Sequence, residues 1–250
     1  MCTIERWEPT FLYPGRPPHE LIALIILNTP ITDTATFRQI WFKASYRVCA
    51  DGGANRLLAA SEAMRQSFVP DLIKGDLDSI RPDIKRHFEQ LGVPIVEDPD
   101  QYATDLGKCV KAVAEQDAAK RTEHVIVILG GLQGRLDQTM HTLHAITKLA
   151  KTRKRVWVVS EESLACVLDK GEHELVIDQH ILGPTCGLLP IGTDSALVTT
   201  KGLEWNLSKA TGDTETSMST MVSTSNHIVS DLVQVTTNRL IVWTCAILAS

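Results

Sequence analysis

No two of the six cysteines form a C-x-x-C pair, the eight histidines carry no convincing metal pattern, and no apolar run approaches membrane-spanning length. A helix crossing the hydrocarbon core needs roughly 20 apolar residues, so none is expected. Cys2, Cys49, Cys109, Cys166, Cys186 and Cys245 lie mostly in apolar runs, where cysteine acts as a small buried hydrophobe, and the expected setting is a reducing cytoplasm. His141 and His144 share a helical face, but no third ligand accompanies them, which argues against zinc. With a net charge of −5 and no extended basic block, the chain offers no nucleic-acid track. The short basic run 148–155 reads as a solvated helix end. The N-terminus, with Glu5, Arg6, Glu8 and several prolines, has no signal-peptide core. Neither glycine-rich turn matches the phosphate-loop pattern G-x-x-x-x-G-K-[ST] or the dinucleotide fingerprint, which disfavours ordinary kinases and Rossmann dehydrogenases.

What is present is a turn that recurs. Four times in the first 140 residues a short apolar run ends in glycine and aspartate or in a cluster of aspartates. The segments are Val48-Cys49-Ala50-Asp51-Gly52-Gly53-Ala54, Leu72-Ile73-Lys74-Gly75-Asp76-Leu77-Asp78-Ser79, Asp100-Gln101-Tyr102-Ala103-Thr104-Asp105, and Leu129-Gly130-Gly131-Leu132-Gln133-Gly134-Arg135-Leu136-Asp137. Ligands of open parallel sheets bind outside the carboxyl ends of the strands. Glycines there let backbone N–H groups approach phosphates, and several carboxylates can hold Mg²⁺. The series points to a magnesium–nucleotide site.

The chain of 250 residues suits one large domain or two smaller ones. Residues 1–20 read as an irregular arm because of Pro9, Pro14, Gly15, Pro17 and Pro18. Residues 21–160 alternate strand and helix. Strands are expected at 21–27, 46–50, 72–74, 125–129 and 156–159, and helices at 37–43, 55–64, 82–91, from Thr104 onward, and at 136–150. Thr104 can cap its helix, which puts Asp105 at the positive end of the helix dipole. Cys109 and Met140 are expected in helix cores. The alternation predicts an α/β parallel-sheet domain with helices on both faces. Residues 161–250 instead show six short apolar runs between Gly, Pro, Asp and Asn, predicting an all-β sandwich-like domain. Residues 211–226 read as a long loop plus one strand.

Asp76 and Asp78 flank Leu77, so in extended backbone they would point the same way and offer two oxygens to one hard cation. The competing reading is a turn with Asp as a local acceptor. Asp105 and Asp137, at the ends of other units, favour the cation. The turns at Asp51, Gly52, Gly53, Ala54, Asn55 and at 130–135 read as anion-binding turns feeding helix N-termini, with Arg135 placed to grip phosphate. For Gly52 and Gly53, a tight strand–helix connection competes with that role. Trp243 reads as core; Trp205 is divided between core packing and cation–π contact with a cationic ligand.

These residues resemble eukaryotic thiamin pyrophosphokinase over nearly the whole chain. The segments 51–57, 75–79, 130–138, 186–192, 199–207 and 222–226 stand in family-like order and spacing. The resemblance implies an α/β domain joined to a β-sandwich, a homodimer with sites at the subunit interface, and transfer of pyrophosphate from ATP to thiamin with Mg²⁺. It assigns Asp76, Asp78, Asp105 and Asp137 to the magnesium and phosphate site, with Asp76, Asp78 and Asp105 as metal ligands. Asp51 to Asn55 and Arg135 match nucleotide-side positions. Gln101, Ser223, Ser225 and Asn226 match thiamin positions, the last three from the partner subunit; Thr104 joins the binding residues. The chain departs from the pattern at Tyr102, Ala103, His144 and Arg239. Two rival functions remain: an aspartyl phosphatase using Asp76-Leu77-Asp78, although two strand–helix units precede that motif, and a non-catalytic thiamin or nucleotide sensor.

Overall fold

A computed structural model describes residues 4–153, 155–193, 195–207, 218–219 and 223–248. The chain divides into two compact units, one formed by Pro14–Thr139 and Val158–Glu161 and the other by the remaining described residues. The first strand, β1 (Glu5–Trp7), belongs to the second unit, where it pairs in parallel with a later strand through Trp7↔Leu175. A 3-10 turn at Thr10–Leu12 follows, with all three residues buried. The arm expected to be irregular throughout is therefore structured at its start. Its prolines restrict only residues 9 and 14–18, while Trp7, Phe11, Leu12 and Tyr13 have apolar bulk to bury.

The α/β unit contains β2 (Leu21–Ile26), α1 (Thr34–Lys43), β3 (Tyr46–Ala50), α2 (Gly53–Met64), β4 (Leu72–Gly75), α3 (Pro82–Gln90), β5 (Ile95–Glu97), α4 (Asp105–Lys120) and β6 (His124–Leu129). Its strands stand in the order β6-β2-β3-β4-β5, every neighbouring pair parallel. The chain first builds outward from β2 to β5, then crosses back to place β6 on the other side of β2. That reversal makes β2/β6 the topological switch point, where the crevice of such a sheet opens. The run from Ile22 to Ile26 is buried because both sides of β2 are paired and both faces covered. Strand β5 escaped the sequence reading: it is three residues long, and Val96 is exposed at the sheet edge.

Local chemistry explains the helix ends. Asp33 caps α1 by accepting the Ala35 and Thr36 N–H groups through Oδ1, at 3.1 and 3.0 Å, so this helix starts earlier than its apolar residues indicate. Thr104 Oγ1 accepts the Gly107 N–H at 3.3 Å and caps α4 as expected. At the far end of α4, the buried Asp117 carboxylate pairs closely with His124 Nδ1 and also accepts the His124 N–H at 3.2 Å. Phe37 and Trp41, tilted against each other, both pack edge-to-face with Phe68.

The next elements are α5 (Leu136–Leu149) and β7 (Val156–Val159). Met140, expected in the core, is 51% exposed, because α5 turns Thr142, Ile146 and Thr147 inward instead. The β-rich unit continues with β8 (Ser163–Leu168), β9 (Gly171–Val176), β10 (Leu182–Leu189), β11 (Ser195–Ala196), β12 (Val198–Lys201), β13 (Met218–Ser219), β14 (Ser223–His227), β15 (Leu232–Thr237) and β16 (Ile241–Ile247). One sheet has the order β1-β9-β15-β12, strands β14-β10-β16-β8 form a run of antiparallel pairs, and β11 pairs with β13. In β15, Val233, Val235 and Thr237 are buried while Gln234 and Thr236 face outward, the alternation of a half-buried strand. Trp243 is fully buried, as expected, and Trp205 is 55% exposed with its ring 5.4 Å from that of His227. The expected architecture, a parallel α/β sheet followed by a β-rich part, is the observed one. Of the segment 211–226, only β13 and β14 are described, and the rest of that expectation lies outside the described residues, as does Cys2. The other five cysteines are unbridged and buried, and burial pushes Cys186 and Cys245 up to about 12. Among the described residues, no helix is long and apolar enough to cross a membrane.

Candidate active site

Three strand–helix connections of the α/β unit deliver carboxylates to one place. Asp51 follows β3, Asp76 follows β4, and Asp105 opens α4. One carboxylate oxygen from each lies within 4.8 Å of the others. Gly75 sits between them: a Cβ there would stand 2.6 Å from Asp51 Cβ and 3.0 Å from Asp105 Oδ1. A residue without a Cβ at this position is what lets Asp51 and Asp105 approach so closely.

Asp51 builds the site as well as lining it. It is buried in a left-handed conformation, φ +42°, in which Asp is better tolerated than most residues. Its Oδ2 accepts the Ser79 N–H at 2.9 Å and its Oδ1 the Ile80 N–H at 3.0 Å, fixing the loop that carries Asp76. Asn55 finishes the clamp, donating to the Ser79 carbonyl at 2.8 Å and accepting the Arg81 N–H at 3.0 Å. This positioning role of Asn55 is distinct from the nucleotide contact expected for it.

The expected pairing of Asp76 with Asp78 is not what the backbone makes. Leu77 has φ +62°, so the segment turns and the extended alternation that would aim both carboxylates alike is lost. Asp78 is exposed, and the Ser79 hydroxyl donating at 2.8 Å is the main reason its carboxyl lies below the usual range. It is not a member of the cluster; Asp51 takes that third position. Asp78 accepts locally from the Ser79 hydroxyl, while Asp76 and Asp105 lie in the cluster.

Bringing acids together costs free energy. Burial, followed by the charge of Asp76, raises the pKa of Asp105; burial is also the first cause of the rise at Asp51. Lys108, 2% exposed, opposes this with its ammonium 3.4 Å from Asp105 Oδ1. Lys108 was not singled out from the sequence. Its i, i+3 spacing from Asp105 was the available signal. Lys74, also buried, stands 3.8 Å from Asp98.

The raised values have a signed consequence. A carboxyl whose folded pKa exceeds its unfolded one contributes stability that is complete below the unfolded value and disappears as pH rises through the folded value. Metal-free protein at pH 7 therefore carries a penalty at Asp105 that a neutral amide lacks. In chelator, Asp105→Asn is expected to melt at or above the wild-type temperature at pH 7, with the gap closing as pH falls toward 4. Melting curves across that range check this; a gap that widens in acid would contradict the assigned direction.

The other expected residues are distributed as follows. Gly53 packs so tightly on β2 that a Cβ would lie 2.2 Å from the Ile26 carbonyl oxygen, and one on Gly52 would lie 2.4 Å from Asn28 Nδ2. Both glycines have a packing role, and Ala54 is buried just behind them. Gly130 requires its glycine, with φ +95° and Thr29 Oγ1 2.8 Å from a would-be Cβ. Arg135 and Asp137 are exposed and paired with each other, Arg135 Nε donating to Asp137 Oδ1 at 3.1 Å, and that hydrogen bond holds the Asp137 carboxyl below its usual range. Gln101 is exposed, and Thr104 is occupied with its cap. Ser223, Ser225 and Asn226 belong to β14 of the β-rich unit. Ser225 has φ +57°, and the buried Asn226 braces the chain at Trp205, accepting its N–H at 3.2 Å and donating to its carbonyl at 2.8 Å.

Comparison with known proteins yields a consistent result. A family model described as "Thiamin pyrophosphokinase, catalytic domain" matches residues 37–158, and one described as "Thiamin pyrophosphokinase, vitamin B1 binding domain" matches residues 172–242. The chain is 35% identical over 255 residues to thiamine pyrophosphokinase 1 of Oryza sativa subsp. japonica, covering 96% of this chain and 94% of that one. It is 29% identical over 257 residues to thiamine pyrophosphokinase of Saccharomyces cerevisiae, covering 83% and 79%. The crystal structure of yeast thiamin pyrophosphokinase superposes with a TM-score of 0.83 at 25% identity, covering 100% of this chain and 93% of the other. Thiamin pyrophosphokinase from Candida albicans superposes with a TM-score of 0.82 at 24% identity, covering 98% and 93%, a likeness of fold.

Proposed function

The chain belongs to the thiamin pyrophosphokinase family, and from that premise we propose that it transfers the pyrophosphoryl group of ATP to the thiamin hydroxyl, with the phosphate chemistry at Asp51, Asp76 and Asp105. The observation that carries the assignment of the site is the meeting of these three carboxylates beside Gly75, whose lack of a side chain lets them approach. Hard cations prefer such all-oxygen sets. Mg²⁺ suits this donor set and, when bound, supplies neutralisation of phosphate charge.

The chain's own residues supply alignment, on which phosphoryl-type transfers chiefly depend. Asp51 holds the Ser79–Ile80 backbone and so fixes the loop bearing Asp76, while Lys108 holds Asp105. Arg135, exposed at the end of the 130–135 turn, is available to exchange its contact with Asp137 for a phosphate oxygen. In the reaction the thiamin hydroxyl oxygen bonds to the β-phosphorus of ATP as the bond from that phosphorus to the α,β-bridging oxygen breaks, releasing AMP.

We assign the thiamin end to Gln101 and to Ser223, Ser225 and Asn226, the latter three serving a partner subunit in a homodimer. Leu136 and Met140, 74% and 51% exposed one helical turn apart on α5, support association by offering apolar surface. Five unbridged thiols suit action in the cytoplasm. The test is incubation with thiamin, ATP and Mg²⁺, followed by identification of products. AMP and thiamin diphosphate are expected. Inorganic phosphate with a trapped phosphoenzyme at Asp76 would identify an aspartyl phosphatase, and binding without turnover a sensor.

A further inference from the structure

At the switch point of the parallel sheet, a narrow cleft opens outside the carboxyl ends of β2, β6 and β7. The loop after β2 lines it with Thr29, Thr32 and Asp33, the turn after β6 with Gly130 and Gln133, and the end of β7 with Glu161. The cleft has a defined frame. The Thr29 hydroxyl accepts the Gly131 N–H at 3.3 Å, and the Gly130 N–H donates to the Val159 carbonyl at 2.8 Å. Asp33 is committed through Oδ1 to the start of α1.

Glu161 is the exception. Its Oε1 is buried and has no hydrogen-bond partner. A buried acceptor left unsatisfied is costly, so such an atom calls for a donor from outside the chain. The cleft stands at β6 and β2, whereas Asp51 and Asp76 follow β3 and β4. Glu161 follows β7, three strands from β3 and four from β4, so at about 4.8 Å per strand it lies on the order of 15–20 Å along the sheet edge from the acidic cluster. A nucleoside triphosphate in extended form, counted with a hydrogen bond at its sugar and a cation at its last phosphates, bridges a gap of that order. A carboxylate, with acceptors and no donor, matches a pair of vicinal hydroxyls, as acidic residues at the crevices of related sheets do.

We propose that Glu161 recognises the ribose hydroxyls of the nucleotide and makes the enzyme selective for ribonucleotides over deoxyribonucleotides. This inference rests on the proposed pyrophosphokinase reaction and names the nucleoside end of the same site. Glu161 is a specificity-determining residue; the phosphate chemistry proceeds without it.

The experiment compares ATP with 2′-deoxy-ATP and 3′-deoxy-ATP in the wild type, Glu161→Gln and Glu161→Ala. Calorimetric binding in Mg²⁺ and steady-state turnover with saturating thiamin are both measured. In the wild type, at least one deoxynucleotide is expected to bind about tenfold or more weakly than ATP, since a site built to bond a hydroxyl rejects the analogue lacking it. In Glu161→Ala that ratio should collapse toward one through weaker ATP binding, with kcat at saturating nucleotide and the thiamin KM within about threefold of wild type. Glu161→Gln should fall between. Both variants should melt within a few degrees of the nucleotide-free wild type, because the lost oxygen has no internal partner. An unchanged ratio in Glu161→Ala, a rise confined to the thiamin KM, or a large drop in melting temperature would overturn the proposal. Calorimetry reads the ratio without turnover, so a protein that binds ATP selectively yet makes no AMP would sink the reaction and leave this inference standing.

Discussion

Asp76→Asn and Asp105→Asn are expected to abolish nearly all turnover while leaving a folded protein. Each removes one of three carboxylates gathered within 4.8 Å. An amide keeps the shape and loses the charge that a magnesium–phosphate complex needs. Charge stabilisation by a bound cation contributes several kcal/mol to such transition states, and a loss of about 4 kcal/mol corresponds to about a thousandfold in kcat/KM. Folding should be spared because neither carboxylate clamps the Ser79–Ile80 backbone as Asp51 does; Asp76 accepts the Asp78 N–H at 3.3 Å, and burial and the charge of Asp76 disfavour the Asp105 carboxylate more than Lys108 favours it. Kinetics with varied Mg²⁺, read beside thermal melts, separate the two effects. Near-normal turnover in either variant would remove the cluster from the chemistry. Loss of activity matched by loss of folded protein would make the site a structural feature.

Gly53→Ala should give the largest loss of stability. Alanine favours a helix over glycine by about 1 kcal/mol, so a free position at the start of α2 would gain from the change. Here the new Cβ would stand 2.2 Å from the Ile26 carbonyl oxygen and 3.1 Å from its carbon. Those atoms are backbone of a strand paired on both sides, so neither partner can yield cheaply. Overpacking of this kind costs about 3 kcal/mol or more. Gly52→Ala is the control: its Cβ meets the side chain of Asn28, which can swing away, and should cost far less. Denaturant unfolding of both variants decides the matter. A Gly53→Ala protein within 1 kcal/mol of wild type would mean that α2 does not sit against β2 as described.

Much of this molecule was legible from residue order. The apolar run beginning at Leu21 could only be a strand covered on both faces, and Thr104 before Asp105 marked a helix start that the structure reproduces. Strand β1 was hidden because three residues carry too little periodicity, and nearby prolines drew attention to irregularity. Asp78 was favoured over Asp51 for a similar reason. Spacing suggested extended backbone, and a single left-handed residue, Leu77, reverses the direction of everything after it. Lys108 drew no reading from the sequence; burial places it beside Asp105.

Local pattern by itself determined the element types, the recurrence of acidic turns at strand ends and the family to which the chain belongs. Those properties depend on neighbours a few residues apart, where spacing along the chain equals spacing in space. Which three carboxylates meet, which glycine is forbidden a methyl group, and which glutamate is left without a donor were settled only by tertiary structure. They depend on contacts between strands distant in sequence, and on turns whose dihedral angles no residue spacing records.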